Sequence, residues 1–86
     1  MPYHVLLVDD HKILRDGIKA ILRADGDFEV VGEAENGTDA VQLARKLSPD
    51  VIIMDIGLQG LNGVEATTEI VRHSTDSKVI ILSMYD

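Results

Sequence analysis

Cysteine is absent from the 86-residue sequence, which excludes disulfide bonds, thiol catalysis and cysteine-based zinc sites. This absence suits a reducing compartment, so we expect a cytoplasmic location. No apolar run approaches the roughly 20 residues of a membrane-spanning helix. The opening Met-Pro-Tyr leads directly into an apolar strand and leaves no room for a signal peptide. We therefore expect no membrane association.

Basic residues are also scarce, since 8 Lys and Arg face 15 Asp and Glu and give a formal net charge of −7. Proteins that bind DNA or RNA directly usually present a basic patch, so we expect no direct contact with nucleic acid. Apolar residues make up 45% of the sequence, which is enough for a hydrophobic core. The length is that of one small domain.

The segment Val-Ile-Ile-Met-Asp at residues 51–55 joins four apolar residues directly to one carboxylate. A continuous apolar run between Pro49 and Gly57 predicts a strand that is buried on both faces, as in a parallel sheet. An unpaired buried carboxylate is costly, so Asp55 is expected at the strand's exit with polar partners or water. Ligands bind at this edge of open α/β sheets, which makes Asp55 the candidate chemical centre.

Three further strands and three helices are predicted from hydrophobic periodicity and turn residues. The strands are expected at residues 4–8, 28–34 and 78–83, the second with the partial alternation of an edge strand. A first helix over about residues 12–24 is expected to have an apolar face of Ile13, Leu14, Ile18, Ile21 and Leu22. Its other face is expected to carry Lys12, Arg15, Asp16, Lys19 and Arg23. The second and third helices have apolar stripes of Ala40, Val41, Leu43, Ala44 and Leu47, and of Val64, Ala66, Thr67, Ile70 and Val71.

Strands that alternate with helices predict right-handed crossovers and a mainly parallel sheet, so the fold class is α/β. The exits of parallel strands share one edge of the sheet. Four polar side chains are expected to converge at that edge: Asp9, Asp10, Asp55 and Ser83.

Three carboxylates at one place repel one another unless a cation neutralises them. Oxygen ligands that leave coordination positions open suit Mg²⁺, with Mn²⁺ as the alternative. A Mg²⁺ site beside a carboxylate and a hydroxyl provides the groups that phosphoryl transfer requires. Structural interpretations exist for each residue alone. Either Asp9 or Asp10 could cap the following helix, Asp55 could be a turn residue and Ser83 a strand-end residue. Their conjunction at the exits of three strands favours a functional acidic site.

The sequence resembles the receiver domain of two-component response regulators over its whole length. The resemblance is carried by Val-Leu-Leu-Val-Asp-Asp-His at 5–11, Pro-Asp-Val-Ile-Ile-Met-Asp-Ile at 49–56, Gly63 and Lys-Val-Ile-Ile-Leu-Ser at 78–83. Similarity to the NarL/FixJ (LuxR-type) subfamily is carried by Val-Val-Gly-Glu-Ala at 30–34, Gly-Val-Glu-Ala at 63–66 and Leu-Ser-Met-Tyr-Asp at 82–86.

The resemblance implies a role for each candidate residue. Asp55 would be the phosphoacceptor, which takes a phosphoryl group from a sensor histidine kinase. Asp9, Asp10, Asp55 and the backbone carbonyl of Gly57 would bind Mg²⁺, with Asp10 in direct contact and Asp9 acting through water. Ser83 would contact the phosphoryl group and report its presence by moving. Such a domain is a signalling module with at most slow self-phosphorylation and self-dephosphorylation.

The resemblance also implies a flavodoxin-like, doubly wound parallel sheet with strand order 2-1-3-4. Residues 1–86 correspond to the N-terminal part of a receiver, without the fifth strand, the last helices or the C-terminal helix-turn-helix domain that binds DNA. No Lys follows Ser83, whereas the family's fifth strand carries one that pairs with the phosphoryl group. We therefore expect impaired phosphorylation in this chain, and homodimers or higher oligomers formed through the exposed fourth strand at 79–83.

Two other functions are weighed against the receiver. A phosphohydrolase of the haloacid-dehalogenase type would also use an Asp nucleophile and Mg²⁺, but it predicts Asp-x-Asp after the first strand, where this chain has adjacent Asp9 and Asp10. A module that acts only through interaction or dimerisation would be indifferent to Mg²⁺ and to Asp55→Asn.

Overall fold

The computed structural model describes residues 2–55, 63–73 and 77–82 of the chain. The described elements, in chain order, are β1 (Tyr3–Val8), α1 (Lys12–Asp25), β2 (Phe28–Ala34), α2 (Gly37–Leu47), β3 (Val51–Asp55), α3 (Gly63–His73) and β4 (Lys78–Leu82). Each predicted strand and helix is present, and the bounds predicted for the strands and the first helix agree to within one or two residues. Within the described ranges, no helix combines the length and apolar character needed to cross a membrane.

The four strands form one parallel sheet in the order β2-β1-β3-β4. This confirms the predicted α/β fold class, the flavodoxin-like order 2-1-3-4 and the position of β2 at an edge. Central β1 and β3 pair in register, with Val8 opposite Met54. Their carboxyl ends therefore lie side by side, and this alignment places the candidate site.

The main hydrophobic core lies between one face of the sheet and helices α2 and α3. Its buried residues are Leu6, Val8, Ala34, Ala40, Ala44, Ile52, Met54 and Ile70. The period of two in β1 and β3 sends alternate side chains to this face. The small side chains of Ala40 and Ala44 are fully buried, which allows α2 to pack close to the strands. The predicted stripe of α2 is thus confirmed.

Helix α1 covers the opposite face of the sheet, as right-handed crossovers on either side of β1 require. Its predicted faces are partly wrong. Ile13 and Ile21 are 88% and 72% exposed, while Arg15 is only 6% exposed. The apolar stripe of α1 is wider than the arc that meets the sheet. The helix turns its half-buried Leu14 and Ile18 inward and brings the neighbouring Arg15 against the end of β2.

The stripe predicted for α3 is also partly wrong. Ile70 is 1% exposed and belongs to the core, but Val71 is 52% exposed. Consecutive helical residues point roughly 100° apart, and the rotation of α3 turns Ile70 toward the core and leaves Val71 largely exposed. The side chains of Val64, Ala66 and Thr67 lie outside the described part of the structure.

The starts and ends of the helices follow local backbone chemistry. Asn36 begins α2, and its side-chain oxygen accepts a 2.8 Å hydrogen bond from the Asp39 N–H. Gly26 ends α1 in the left-handed region at φ 83°, where glycine meets no steric penalty. Ser48 ends α2 at φ 46° and donates its N–H to the Ala44 carbonyl. These ends fix where the chain re-enters the sheet at β2 and β3.

Candidate phosphoacceptor and metal site

Three Asp residues meet where β1 and β3 end. Asp9 and Asp10 follow β1 directly, and Asp55 is the last residue of β3. Asp9 and Asp55 are only 3% and 4% exposed, and the Asp10 side chain is 25% exposed. One potential ligand atom from each of Asp9, Asp10, His11 and Asp55 lies within 4.8 Å of the others. The predicted convergence of the three carboxylates is therefore present.

Asp9 is held in place through its backbone and its side chain. Its N–H donates to the Ala34 carbonyl at the end of β2, with a separation of 3.0 Å. Its Oδ1 accepts the backbone N–H of His11 at 2.7 Å. His11 is the residue that caps α1, and its side chain makes no capping hydrogen bond. The interpretation of Asp9 or Asp10 as the N-cap residue of α1 therefore does not apply.

His11 joins the cluster, although the sequence analysis did not assign it to the site. Its Nδ1 lies 3.0 Å from Asp9 Oδ1 and 2.9 Å from Asp10 Oδ1. The hydrogen bond with Asp9 and the negative charge of Asp10 raise the pKa of His11 above 6.5. The signal that could have identified His11 is its position directly after the acidic pair at the start of a helix.

The arrangement of oxygen atoms fits a hard divalent cation. Asp10 Oδ1 is buried and, among the described residues, has no well-oriented hydrogen-bond donor despite its proximity to His11. Carboxylate oxygens that converge without enough donors are suited to Mg²⁺ or Mn²⁺. Asp9, Asp10 and Asp55 together can supply the protein's side-chain ligands. The predicted contributions of the Gly57 carbonyl and the Ser83 hydroxyl fall on residues outside the described ranges.

A second cluster of charged side chains lies directly behind the first. Arg15 donates from Nε to Glu33 Oε1 at 3.0 Å and from Nη2 to Glu35 Oε1 at 3.4 Å. Its Nη1 donates to the backbone carbonyl of Asp9 at 2.5 Å. The Lys19 ammonium lies 3.0 Å from Glu33 Oε2, and Lys19 with Arg15 holds the pKa of Glu33 below its ordinary value. Sequence patterning placed Arg15 on the exposed face of α1 and so missed this contact.

Comparison with known proteins identifies the family. The family model described as the response regulator receiver domain matches residues 5–86. Transcriptional regulatory protein LiaR of Bacillus subtilis is 49% identical over 81 residues, which cover 94% of this chain and 38% of that protein. Transcriptional regulatory protein DegU of Brevibacillus brevis is 45% identical over 82 residues, which cover 95% of this chain and 35% of that protein. The chain thus spans less than half the length of these relatives.

The solved structures agree with the sequence relatives. The crystal structure of a LuxR-family two-component response regulator from Aurantimonas sp. SI85-9A1 matches with a TM-score of 0.93 at 32% identity. That match covers 100% of this chain and 61% of the solved chain. The predicted resemblance, including the NarL/LuxR-type subfamily, is confirmed. With the acidic cluster at the ends of β1 and β3, these matches show that the chain belongs to the response regulator receiver domain family.

Proposed function

We propose that this chain is the phosphoacceptor part of a two-component phosphorelay and that Asp55 receives the phosphoryl group. The observation that carries the proposal is the convergence of Asp9, Asp10 and Asp55, with ligand atoms within 4.8 Å of one another. Asp55 ends a central strand, so its carboxylate is held by the sheet and not by a long loop. Such rigid placement favours a group that must meet an incoming phosphorus atom in line.

The proposed donor is the phosphohistidine of a sensor histidine kinase. A carboxylate oxygen of Asp55 forms the new bond to phosphorus while the phosphorus–nitrogen bond of the phosphohistidine breaks, and the electron pair stays on the histidine nitrogen. The product on this chain is an acyl phosphate, which is a known covalent form of Asp. Ser83 is proposed to hydrogen-bond a phosphoryl oxygen and to relay the modification.

Mg²⁺ is the proposed cofactor, with Mn²⁺ as a substitute. Asp10 and Asp55 would bind it directly, Asp9 through water, and the Gly57 carbonyl would complete the protein's contribution. A divalent cation at this position supplies charge neutralisation for the transferring oxygens. The carboxylates orient it, and the backbone contacts of Asp9 keep one side of the cluster in register with β2.

The output of the parent protein is proposed to be transcriptional. LiaR and DegU are both named as transcriptional regulatory proteins, and this chain matches their receiver portions. The chain itself carries a formal charge of −7, so direct nucleic-acid contact is assigned to a separate part of the parent protein. A cytoplasmic location and self-association through β4 complete the proposal.

Incubation with Mg²⁺ and a small phosphoryl donor such as acetyl phosphate tests the proposal. Mass spectrometry should find one added phosphoryl group, localised to Asp55, which depends on Mg²⁺ and is absent from Asp55→Asn. Asp25→Asn is the matched control, since it removes one exposed carboxylate at the far end of α1.

Failure of the wild-type chain to become modified, or equal modification of Asp55→Asn, would contradict the assignment of Asp55.

A further inference from the structure

We propose that Arg15 is a positioning residue that holds the Asp9–Asp10 segment in the geometry that binds the cation. The inference rests on the proposed function, because it assigns to Arg15 an effect on the affinity of that same metal site. Arg15 touches none of the reacting groups. It acts through the backbone of Asp9.

The hydrogen bonds of Arg15 and Asp9 form a closed ring at the start of the Asp9–Asp10 segment. The N–H of Asp9 donates to the Ala34 carbonyl, and the carbonyl of Asp9 accepts from Arg15 Nη1. The guanidinium in turn contacts Glu33 and Glu35, the two residues that flank Ala34. The end of β2 therefore holds both peptide groups of Asp9, one directly and one through Arg15.

The burial of Arg15 gives this ring its rigidity. The side chain is 7% exposed, so its guanidinium has exchanged most of its water for these protein acceptors. Three nitrogens of one planar group reach three acceptors, and this fixed fork is a property of Arg that Lys does not share. Displacement of the Asp9 carbonyl would leave a buried cationic donor short of one acceptor, which opposes movement of the segment.

Lys19 provides the natural comparison. It carries the same charge, lies on the same helix and contacts the same Glu33, at 3.0 Å. Its described partners are Glu33 and Asp16, and neither belongs to the metal-binding segment. Loss of Lys19 therefore removes a nearby positive charge without opening the ring around Asp9.

The experiment compares Arg15→Gln, Arg15→Lys and Lys19→Gln with the wild-type chain. Mg²⁺ affinity is measured by calorimetric titration, and melting curves establish that each variant is folded. Arg15→Gln should weaken Mg²⁺ binding about tenfold or more, as loss of an outer-shell partner of a metal ligand does. Arg15→Lys keeps the charge but loses the fork, so its affinity should fall toward that of Arg15→Gln. Lys19→Gln should remain within about twofold of wild type, because the described partners of Lys19 are Glu33 and Asp16 and not the Asp9–Asp10 segment.

Amide hydrogen exchange without metal provides a second readout. The amides of Asp9 and His11 donate to Ala34 and to the Asp9 carboxylate, respectively. Both should exchange faster in the two Arg15 variants and at the wild-type rate in Lys19→Gln. This comparison separates the inference from the proposed function. If the wild-type chain binds no Mg²⁺, the proposed function is contradicted. The exchange rates of the Asp9 and His11 amides still decide whether Arg15 holds the Asp9–Asp10 segment.

A folded Arg15→Gln with wild-type affinity and wild-type exchange would overturn the inference. Equal weakening by Arg15→Gln and Lys19→Gln would also overturn it, because the effect would then be one of charge alone. If Arg15→Gln does not fold, Arg15→Lys decides by the same two measurements, and wild-type values in that variant reject the role of the fork.

Discussion

Glu33, near the end of β2, forms ion pairs that stabilise the fold, and one of its partners, Arg15, also contacts the acidic site. Glu33 accepts from both Lys19 and Arg15, and these two cations stabilise its ionised form. Arg15 in turn donates to the backbone carbonyl of Asp9, beside the candidate metal ligands. Glu33 therefore helps to hold the Asp9–Asp10 segment through Arg15, although Glu33 does not contact that segment itself.

The first prediction concerns the pH dependence that Glu33 confers. The hydrogen bond with Lys19, and to a lesser extent the one with Arg15, holds the pKa of Glu33 below its ordinary value of 4.5 in the folded chain. A depressed folded pKa contributes stability above the unfolded value, and this contribution is lost as pH falls through the folded pKa. Melting temperatures of wild type and Glu33→Gln should therefore differ most near neutral pH, and the difference should disappear only as pH falls through the folded-state pKa of Glu33, which lies below 4.5.

Glu29→Gln, on the same strand with a 60% exposed side chain, is the control for the loss of one charge. A difference between wild type and Glu33→Gln that stays constant from pH 7 to pH 3 would reject the ion-pair explanation.

The acidic residues were predictable from sequence, whereas their supporting residues were not. Asp9, Asp10 and Asp55 each follow an apolar strand, and parallel topology is enough to bring strand ends together. His11 caps α1 and contacts the adjacent Asp9 and Asp10, whereas Arg15 lies in the first turn of α1, and its contacts depend on how the helix rotates against β2. Hydrophobic periodicity cannot fix that rotation when the apolar stripe is wider than the surface it covers.

At the scale of single elements, the strands were easier to predict than the inward faces of the helices. A strand's alternation leaves only two choices of face, and β1 and β3 are apolar on both. Helix α3 offers more choices, since its stripe includes both the buried Ile70 and the exposed Val71. Only the packing of α3 against the sheet and α2 decides which of the two contributes to the core.

The second prediction uses this adjacent pair. Ile70→Val should lower the free energy of unfolding by about 1 kcal/mol, because it removes one buried methylene and leaves a small cavity. Val71→Ala should change it by less than about 0.5 kcal/mol, as substitutions at exposed positions usually do. Urea titrations followed by circular dichroism measure both values. Equal costs for the two substitutions would contradict the described orientation of α3.

At the scale of the whole molecule, β4 is one of two strands, with β2, whose outer edge is unpaired within the described sheet. Ile80 and Ile81 are 50% and 40% exposed, on opposite faces of that strand. An exposed apolar edge strand invites pairing with another chain. This geometry supports the proposed self-association through β4.

The third prediction tests that proposal with a charge at the edge. Sedimentation velocity at tens of micromolar should find dimers or larger oligomers for wild type, and Ile80→Lys should shift the chain toward monomer because a Lys disfavours edge pairing. Val71→Lys places the same charge at an exposed position on α3 and should leave the distribution unchanged. A wild-type chain that sediments as a clean monomer and unfolds cooperatively would refute self-association.

The central claim is that Asp9, Asp10 and Asp55 form one divalent-cation site at the ends of β1 and β3. Calorimetric titration with Mg²⁺ tests it most directly, on wild type, Asp10→Asn, Asp55→Asn and the distant Asp25→Asn. The structure predicts binding of one Mg²⁺ by wild type and by Asp25→Asn, with at least about tenfold weaker binding by the other two, because each loses a charged oxygen ligand. Equal Mg²⁺ affinity in all four chains, or no binding by folded wild type, would contradict this account.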